Sequence, residues 1–430
     1  AIAIICETLP QEQTQGVTYI QTADSSEALG LVAASFYGNP SEKLNLVGIT
    51  GTNGKTTSAT LLYQLFLNKF GKAGLISTIA NYINETKIPT KYTTPDAIRI
   101  NELLAKMVDK GCKHAFMEVS SHALKQKRIS GIHFHGAVFT NITHEHLDYH
   151  KTFRDYIDSK KMLFDHYLSK ASFALVNNDD KNGRVMLQNT PARKCSFALK
   201  SSADFKAKII EKHVEGTLLN INGHELWTRF IGRFNAYNLL GVYGVAHLLG
   251  YKEDELLKDL SQLRPVDGRF ETIISKEKKT AVVDYAHSPD ALENILIAIN
   301  ELQRPSQDLI TLIGAGGDRD TTKRPEMARI ALKHSQKVIL TSDNPRTEDP
   351  EEILKDMKKG VETDEESKVL SITDRKEAIR TACMLAKEGD IILVAGKGHE
   401  TYQEVHGVRH HFDDREIIRD IFNINNKTAQ

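Results

Sequence analysis

The sequence predicts an α/β protein with mainly parallel sheets. Two observations predict it. Short apolar runs alternate with amphipathic helical patterns along the whole chain. Each run ends in a polar or glycine-rich cluster, and open α/β sheets bind ligands beyond the carboxyl ends of their strands. With 430 residues the chain is too long for one core, so two or three domains are expected.

The first run, Ala1-Ile-Ala-Ile-Ile-Cys6, reads as a strand. A start on Ala in mid-strand suggests that further N-terminal sequence precedes it. Residues 1–42 are therefore expected to be the remnant of a small N-terminal domain, ending near Gly38-Asn-Pro40.

The second run, Leu44 to Ile49, leads into Gly48-Ile-Thr-Gly-Thr-Asn-Gly-Lys-Thr-Thr57, and Leu61, Leu62, Leu65 and Phe66 then mark a helix. Strand, glycine loop, Lys, hydroxyl, helix is an order suited to a phosphate. Backbone N–H groups and the positive end of the helix converge on one anion. Lys55 adds a point charge and Thr56 a hydroxyl for Mg²⁺. The strict Walker pattern wants a Gly where Ile49 stands, so this is a variant phosphate loop. The competing reading is a glycine-rich turn with an incidental Lys. A strand before it and a helix after it argue against that.

Later strands end in chemistry-bearing residues. Ala115–Val119 runs into Ser120-Ser121-His122, and Ala137–Phe139 into Thr140-Asn141 and His144-Glu-His-Leu-Asp-Tyr-His150. Leu263–Phe270, with Pro265 and Gly268, marks the junction between a central domain (43–266) and a C-terminal one (267–430). Beyond it, Ala281–Val283 ends in Asp284-Tyr-Ala-His287, and Leu309–Ile313 in Gly314-Ala-Gly-Gly-Asp-Arg319. Val338–Leu340 ends in Ser342-Asp-Asn-Pro-Arg346, and Ile391–Val394 in Gly396-Lys-Gly-His-Glu400.

Lys+Arg and Asp+Glu both number 56, so nothing points to a nucleic-acid or membrane-surface partner. No apolar run reaches transmembrane length and no signal peptide is visible. Cys6, Cys112, Cys195 and Cys383 lack metal-type spacing and read as reduced thiols of a cytoplasmic protein.

Several residues admit two readings. Glu118 at a buried strand end is costly unless paired or bound to a cation; Glu118, His146 and Thr56 are a candidate Mg²⁺ set, against a Glu emerging into solvent. The His144–His150 run nearly matches the ligand run of metallo-β-lactamase-like hydrolases, missing by one residue, and makes a zinc hydrolase the rival reading. Tyr156, Lys160 and Phe164 share a helical face, where an exposed Lys is the default. On an apolar face near a metal, such a Lys can instead react with carbon dioxide to form a carbamate. The cluster at Gly314 lacks the third glycine of a dinucleotide fingerprint, because Arg319 stands there. Arg319, Arg346 and Glu400 suit a zwitterionic ligand bearing carboxylates, against a set of surface ion pairs.

Taken together, Thr50-Gly-Thr-Asn-Gly-Lys-Thr56, Glu118-Val-Ser-Ser-His122, Asn141 with His146, Asp284-Tyr-Ala-His287, Gly316-Gly-Asp-Arg-Asp320 with Lys323-Arg-Pro325, and Gly396-Lys-Gly-His-Glu400 resemble the Mur ligase family. They run in family order over residues 40–430. Asp343-Asn-Pro-Arg346 is similar to the signature of the members that add diaminopimelate; lysine-adding members differ at the Arg.

The resemblance implies three domains: an N-terminal one for the UDP end of the acceptor, a central P-loop ATPase and a C-terminal Rossmann-like domain for the amino acid. It implies ATP and Mg²⁺ as cofactors. Gly51, Thr52, Asn53, Gly54, Lys55, Thr56 and Thr57 would bind the ATP phosphates. Asn141, Asn235, Asn238, Arg269, Asp284 and His287 would serve the nucleotide. Thr56, Glu118 and His146 would hold the metal. Lys160 matches the family's carbamylated lysine, and with Lys55 and His146 it makes up the implied catalytic set. Thr93, Thr94, Ser120, Gln126 and Arg128 match positions that contact the UDP-N-acetylmuramoyl dipeptide. Arg319, Asp343, Asn344, Pro345, Arg346, Gly396 and Glu400 would hold meso-diaminopimelate.

The implied enzyme is a cytoplasmic monomer acting on small molecules in peptidoglycan biosynthesis. Two departures stand out. Glu145 occupies a position where the family usually has Asp, and the N-terminal domain is much shorter than the family's. A ligase of the same superfamily adding lysine or glutamate, the zinc hydrolase and a non-catalytic nucleotide-binding module are the alternatives.

Overall fold

The computed structural model describes residues 1–143, 149–213 and 215–424. The chain divides into two compact units, one comprising Ala1–Ile210, Leu218–Thr228 and Asn235–Leu263, the other Glu211–Thr217, Arg229–Phe234 and Arg264–Gln430. Residues 1–42 fall in the first unit, where Ala3–Cys6 and Thr18–Gln21 pair in parallel.

The first unit is built on the core of an eleven-stranded sheet. At its centre, Arg193–Ala198, Leu168–Asn177, Phe134–Phe139, Asn45–Thr50, His114–Glu118 and Gly74–Ile76 lie side by side, all parallel. Asn81–Ile83 and Thr86–Ile88 extend one end antiparallel. The central strands carry almost unbroken apolar runs because both faces are covered. Leu46, Met117 and Phe139 join one core cluster with the helix Ala97–Asp109. On the other side the helix Lys55–Phe70 buries Leu61, Leu62, Leu65 and Phe66, with the Phe66 ring 5.1 Å from Phe116.

The second unit carries a six-stranded sheet in the order Glu271–Ile274, Thr280–Asp284, Ile391–Ala395, Leu309–Ala315, Lys337–Ser342, Val369–Ser371. Only the first of these strands is antiparallel. Side chains alternate between two cores with the period of two that a strand imposes. Leu309, Ile313, Val338, Leu340 and Leu393 pack with the helices Pro289–Asn300, Lys323–His334 and Pro350–Lys358. Ile310, Leu312, Ile339, Ile392 and Val394 pack with Arg375–Leu385 and Asp414–Ile421. The α/β class with mainly parallel sheets is thus what the sequence predicts. No described helix is long and apolar enough to cross a membrane.

Candidate active site

The glycine loop leaves the sheet at Thr50, the end of a central strand flanked by His114–Glu118 and Phe134–Phe139. Gly51 has φ 152° and Gly54 φ 85°, and both glycines are required by space as well as by conformation. A Cβ on Gly51 would stand 1.9 Å from Thr140 Oγ1; one on Gly54 would stand 2.3 Å from Asn238 Oδ1. Gly54 sits at the N-cap position of the helix Lys55–Phe70, so the first N–H groups of that helix open toward the loop. The neighbouring strand end braces the loop. Asn53 N–H donates to Asn141 Oδ1 at 2.9 Å, Thr52 N–H to the Asn141 carbonyl at 2.8 Å, and Thr140 Oγ1 to the Asn53 carbonyl at 2.6 Å. Asn141 therefore shapes the loop that it is expected to serve. Asn238 Nδ2 donates to Asn235 Oδ1 at 3.4 Å on the helix Arg233–Leu248.

Two lysines reach the same loop. Lys55 Nζ donates to the carbonyl oxygens of Gly51 at 2.9 Å and Thr52 at 2.8 Å. Lys160, on the helix Phe153–His166, donates to the Gly51 carbonyl at 2.8 Å and stands 4.5 Å from the Tyr156 ring centre. Lys160 is 1% exposed, so the default of a solvated lysine does not hold. The Tyr156 hydroxyl shares a hydrogen bond with Thr52 Oγ1 at 3.1 Å.

Glu118 is fully buried at the end of its strand, not emerging into solvent. Its carboxylate accepts from Thr56 Oγ1 at 2.9 Å, Thr78 N–H at 2.8 Å and Thr78 Oγ1 at 3.2 Å. Among the described residues it forms no ion pair. A buried carboxylate surrounded by neutral donors, with a hydroxyl at the start of the loop helix, is a donor set that fits one Mg²⁺ beside phosphate. His144, Glu145, His146, Leu147 and Asp148 lie outside the described residues, and so does the His146 expectation. Of the run that suggested zinc, His150 is buried, near Ser121 Oγ at 3.0 Å and Ser159 Oγ at 3.4 Å. Burial lowers its pKa, partly offset by Asp155. No group of three or more metal-binding side chains occurs among the described residues.

The expected acceptor-binding residues gather around Glu118. Thr94 Oγ1 donates to the Glu118 carbonyl at 2.8 Å, the Thr78 and Thr93 hydroxyls share a hydrogen bond at 3.0 Å, and Arg128 donates to the Thr94 carbonyl at 2.9 Å. Ser120 caps the short helix Ser121–Lys125, accepting from Ala123 N–H at 3.2 Å. Gln126 donates to the Tyr149 hydroxyl at 3.1 Å.

In the second unit, the other expected residues lie beyond the ends of four parallel strands, Thr280–Asp284, Leu309–Ala315, Lys337–Ser342 and Ile391–Ala395. Asn344 Nδ2 donates to Glu400 Oε2 at 2.8 Å. The hairpin Tyr402–Val405 with Val408–His411 walls the 343–346 loop. Gln403 Nε2 donates to the Asp343 carbonyl at 2.7 Å, and Arg346 N–H to the Glu404 carbonyl at 3.1 Å. Arg346 takes φ 52°, and its guanidinium donates to the Gly317 carbonyl at 2.5 Å. The Pro345 carbonyl and Asp343 carboxylate lie against Gly317 and Gly396; a Cβ at those glycines would stand 1.9 and 3.0 Å away. Arg319 is exposed on the adjoining loop. Asp284 is buried and accepts from the N–H groups of Phe270 and Ala286, each at 2.7 Å. Burial pushes its carboxyl above the usual range, and nearby Arg269 opposes that shift. The Arg269 guanidinium stands 4.5 Å from the Tyr285 ring centre, and His287 is near the Tyr285 carbonyl at 2.8 Å.

Four residues that sequence reasoning gave no role belong to these networks: Thr78, Thr140, Tyr156 and Lys397. Of these, Tyr156 carries a sequence signal in the helical face it shares with Lys160, and Lys397 in its place between two glycines beyond a buried strand.

A braced phosphate loop on a parallel sheet, with a buried carboxylate at its helix start, defines a nucleotide-using α/β enzyme. Residues 49–246 match the Mur ligase middle domain, and residues 268–398 match the Mur ligase glutamate ligase domain. The UDP-N-acetylmuramoyl-L-alanyl-D-glutamate–2,6-diaminopimelate ligase of Bacteroides fragilis is 58% identical over 424 residues, 99% of this chain and 87% of that protein. A solved structure of a ligase of that name superposes with TM-score 0.70 at 33% identity, covering 99% of this chain and 87% of that one. The MurF ligase of Thermotoga maritima in complex with ADP shares the fold, with TM-score 0.65 at 18% identity over 98% of this chain and 88% of that one. The chain belongs to the Mur ligase family and is an ATP-dependent ligase forming C–N bonds.

Proposed function

We propose that this ligase joins meso-2,6-diaminopimelate to UDP-N-acetylmuramoyl-L-alanyl-D-glutamate, using ATP and Mg²⁺, in the cytoplasm and as a monomer. The observation that carries the amino-acid assignment is the 343–346 loop. Its Asn344 is bonded to Glu400, and its Arg346 is held against the Gly317 loop. An Arg fork beside a carboxylate suits a substrate that has an ammonium and a distal carboxylate. Lysine lacks that carboxylate and would leave the Arg desolvated and unpaired, a heavy penalty in a closed site. The name of the Bacteroides fragilis relative agrees with this assignment.

The proposed reaction has two steps. The γ-phosphoryl group passes from ATP to the γ-carboxylate of D-glutamate, giving ADP and an acyl phosphate. The diaminopimelate amine then attacks the acyl carbon, and the tetrahedral intermediate expels phosphate and forms the amide. Phosphoryl transfer requires mainly positioning and charge neutralisation. The loop N–H groups and Lys55 hold the phosphates. Thr56 and Glu118, with His146, would hold Mg²⁺, which supplies further neutralisation of developing charge. Lys160, as a carbamate, would replace a cation at the loop with an anion able to orient a second metal. The residues around Thr94 and Arg128 bind the acceptor.

The test compares kcat/KM for diaminopimelate and for lysine in the wild type and in Arg346→Met. Strong preference for diaminopimelate in the wild type, lost in the variant, supports the reading. Efficient lysine addition by the wild type contradicts it.

A further inference from the structure

Lys397 follows the strand Ile391–Ala395 and is fully buried. Its ammonium donates to Asn344 Oδ1 at 3.0 Å and to Glu400 Oε2 at 3.1 Å, and stands 3.7 Å from Asp343 Oδ1. The Tyr402 ring lies 5.5 Å away. A buried ammonium is costly unless several acceptors satisfy it, and the 343–346 loop and Glu400 supply them.

The consequence falls on Asn344. Its Oδ1 also accepts the Glu404 N–H at 2.9 Å, so both lone pairs of the amide oxygen are engaged by donors. A flipped amide would aim its NH₂ at the Lys397 ammonium and the Glu404 N–H, donor against donor. Only one orientation survives, with Nδ2 toward Glu400 Oε2 at 2.8 Å. The same ammonium fixes Glu400. One carboxylate oxygen takes both Lys397 and Asn344, while Oε1 accepts no hydrogen bond among the described residues.

We propose that Lys397 is a positioning residue for the incoming amino acid. It locks the Asn344 amide and turns Glu400 so that Oε1 meets the substrate ammonium. This rests on the reading of Asn344 and Glu400 as amino-acid ligands.

The experiment first identifies which of diaminopimelate, lysine and glutamate the wild-type protein adds, because that result judges the substrate reading alone. KM for the amino acid actually added is then followed in Lys397→Met and Lys397→Arg, beside KM for ATP. Loss of one charge-assisted hydrogen-bond network should raise the amino-acid KM about tenfold or more in the Met variant. The Arg variant, which keeps the cation, should rise less, with KM for ATP unchanged in both. An unchanged amino-acid KM overturns the proposal, and so does a parallel rise in all KM values, which marks a merely structural role. Should the Met variant not fold, Lys397→Gln replaces it. A higher amino-acid KM for Gln than for Arg then supports the proposal, and equal values overturn it.

Discussion

Lys55 and Lys160 donate to one acceptor, the carbonyl oxygen of Gly51, at 2.9 and 2.8 Å. Two cations from two helices thus converge on the turn that is expected to cradle phosphate. In the proposed reaction Lys55 would neutralise charge on the transferring phosphoryl group. Lys55→Ala should lower kcat by about 10² to 10³, the usual cost of losing one electrostatic donor at a reacting centre. Single-turnover ADP formation measures this, and unchanged product formation would refute the phosphate-loop assignment.

Gly54 has φ 85° and no room for a methyl group beside Asn238. Gly54→Ala should destabilise the first unit by about 1–3 kcal/mol through backbone strain. It should also abolish detectable ATP binding by distorting the helix start. Calorimetric titration with ATP and thermal unfolding of the variant read the two effects.

Glu118 is buried against Thr56 and Thr78 with no ion pair among the described residues. Glu118→Gln keeps the shape and removes the charge. Its activity should therefore need more Mg²⁺ for half-saturation, by about tenfold or more, the scale of one lost charged contact. A Mg²⁺ titration with unchanged midpoint would remove Glu118 from the metal set.

His114 packs edge-on against Phe66 at 4.7 Å, and its Nδ1 is buried with no hydrogen-bond partner among the described residues. Burial pushes its pKa down to about 4 from the usual 6.5. Between those values the unfolded chain binds the proton and the folded chain does not. The neutral ring's contribution is therefore full above pH 6.5 and is lost as the pH falls toward 4. His114→Leu should flatten the fall in stability across that window, by at most about 1.4 kcal/mol per pH unit for one proton. Denaturant melts of both proteins at pH 4.5 and 7 show the difference; parallel pH profiles would contradict it.

The phosphate loop was legible because its determinants are local, a strand, three glycines and a helix within about two dozen residues. Lys160 was not legible from pattern, because a lysine four residues from Tyr156 reads as solvated until the helix is docked on the Gly51 loop. Only the family resemblance singled it out. Thr78, Thr140 and Lys397 act through partners 40, 87 and 53 residues away, and no local spacing encodes such contacts. The same distance hid the hairpin that walls the 343–346 loop, since its pairing partner is that loop and not its own sheet.

The central claim is ATP-driven addition of diaminopimelate to the nucleotide-linked dipeptide. Its most direct test is one incubation of the protein with ATP, Mg²⁺, UDP-N-acetylmuramoyl-L-alanyl-D-glutamate and equal amounts of diaminopimelate, lysine and glutamate, read by mass spectrometry and ADP assay. The predicted result is a single product heavier by one diaminopimelate residue, with one ADP formed per product. A lysine or glutamate product, or a product formed without ADP, would contradict it.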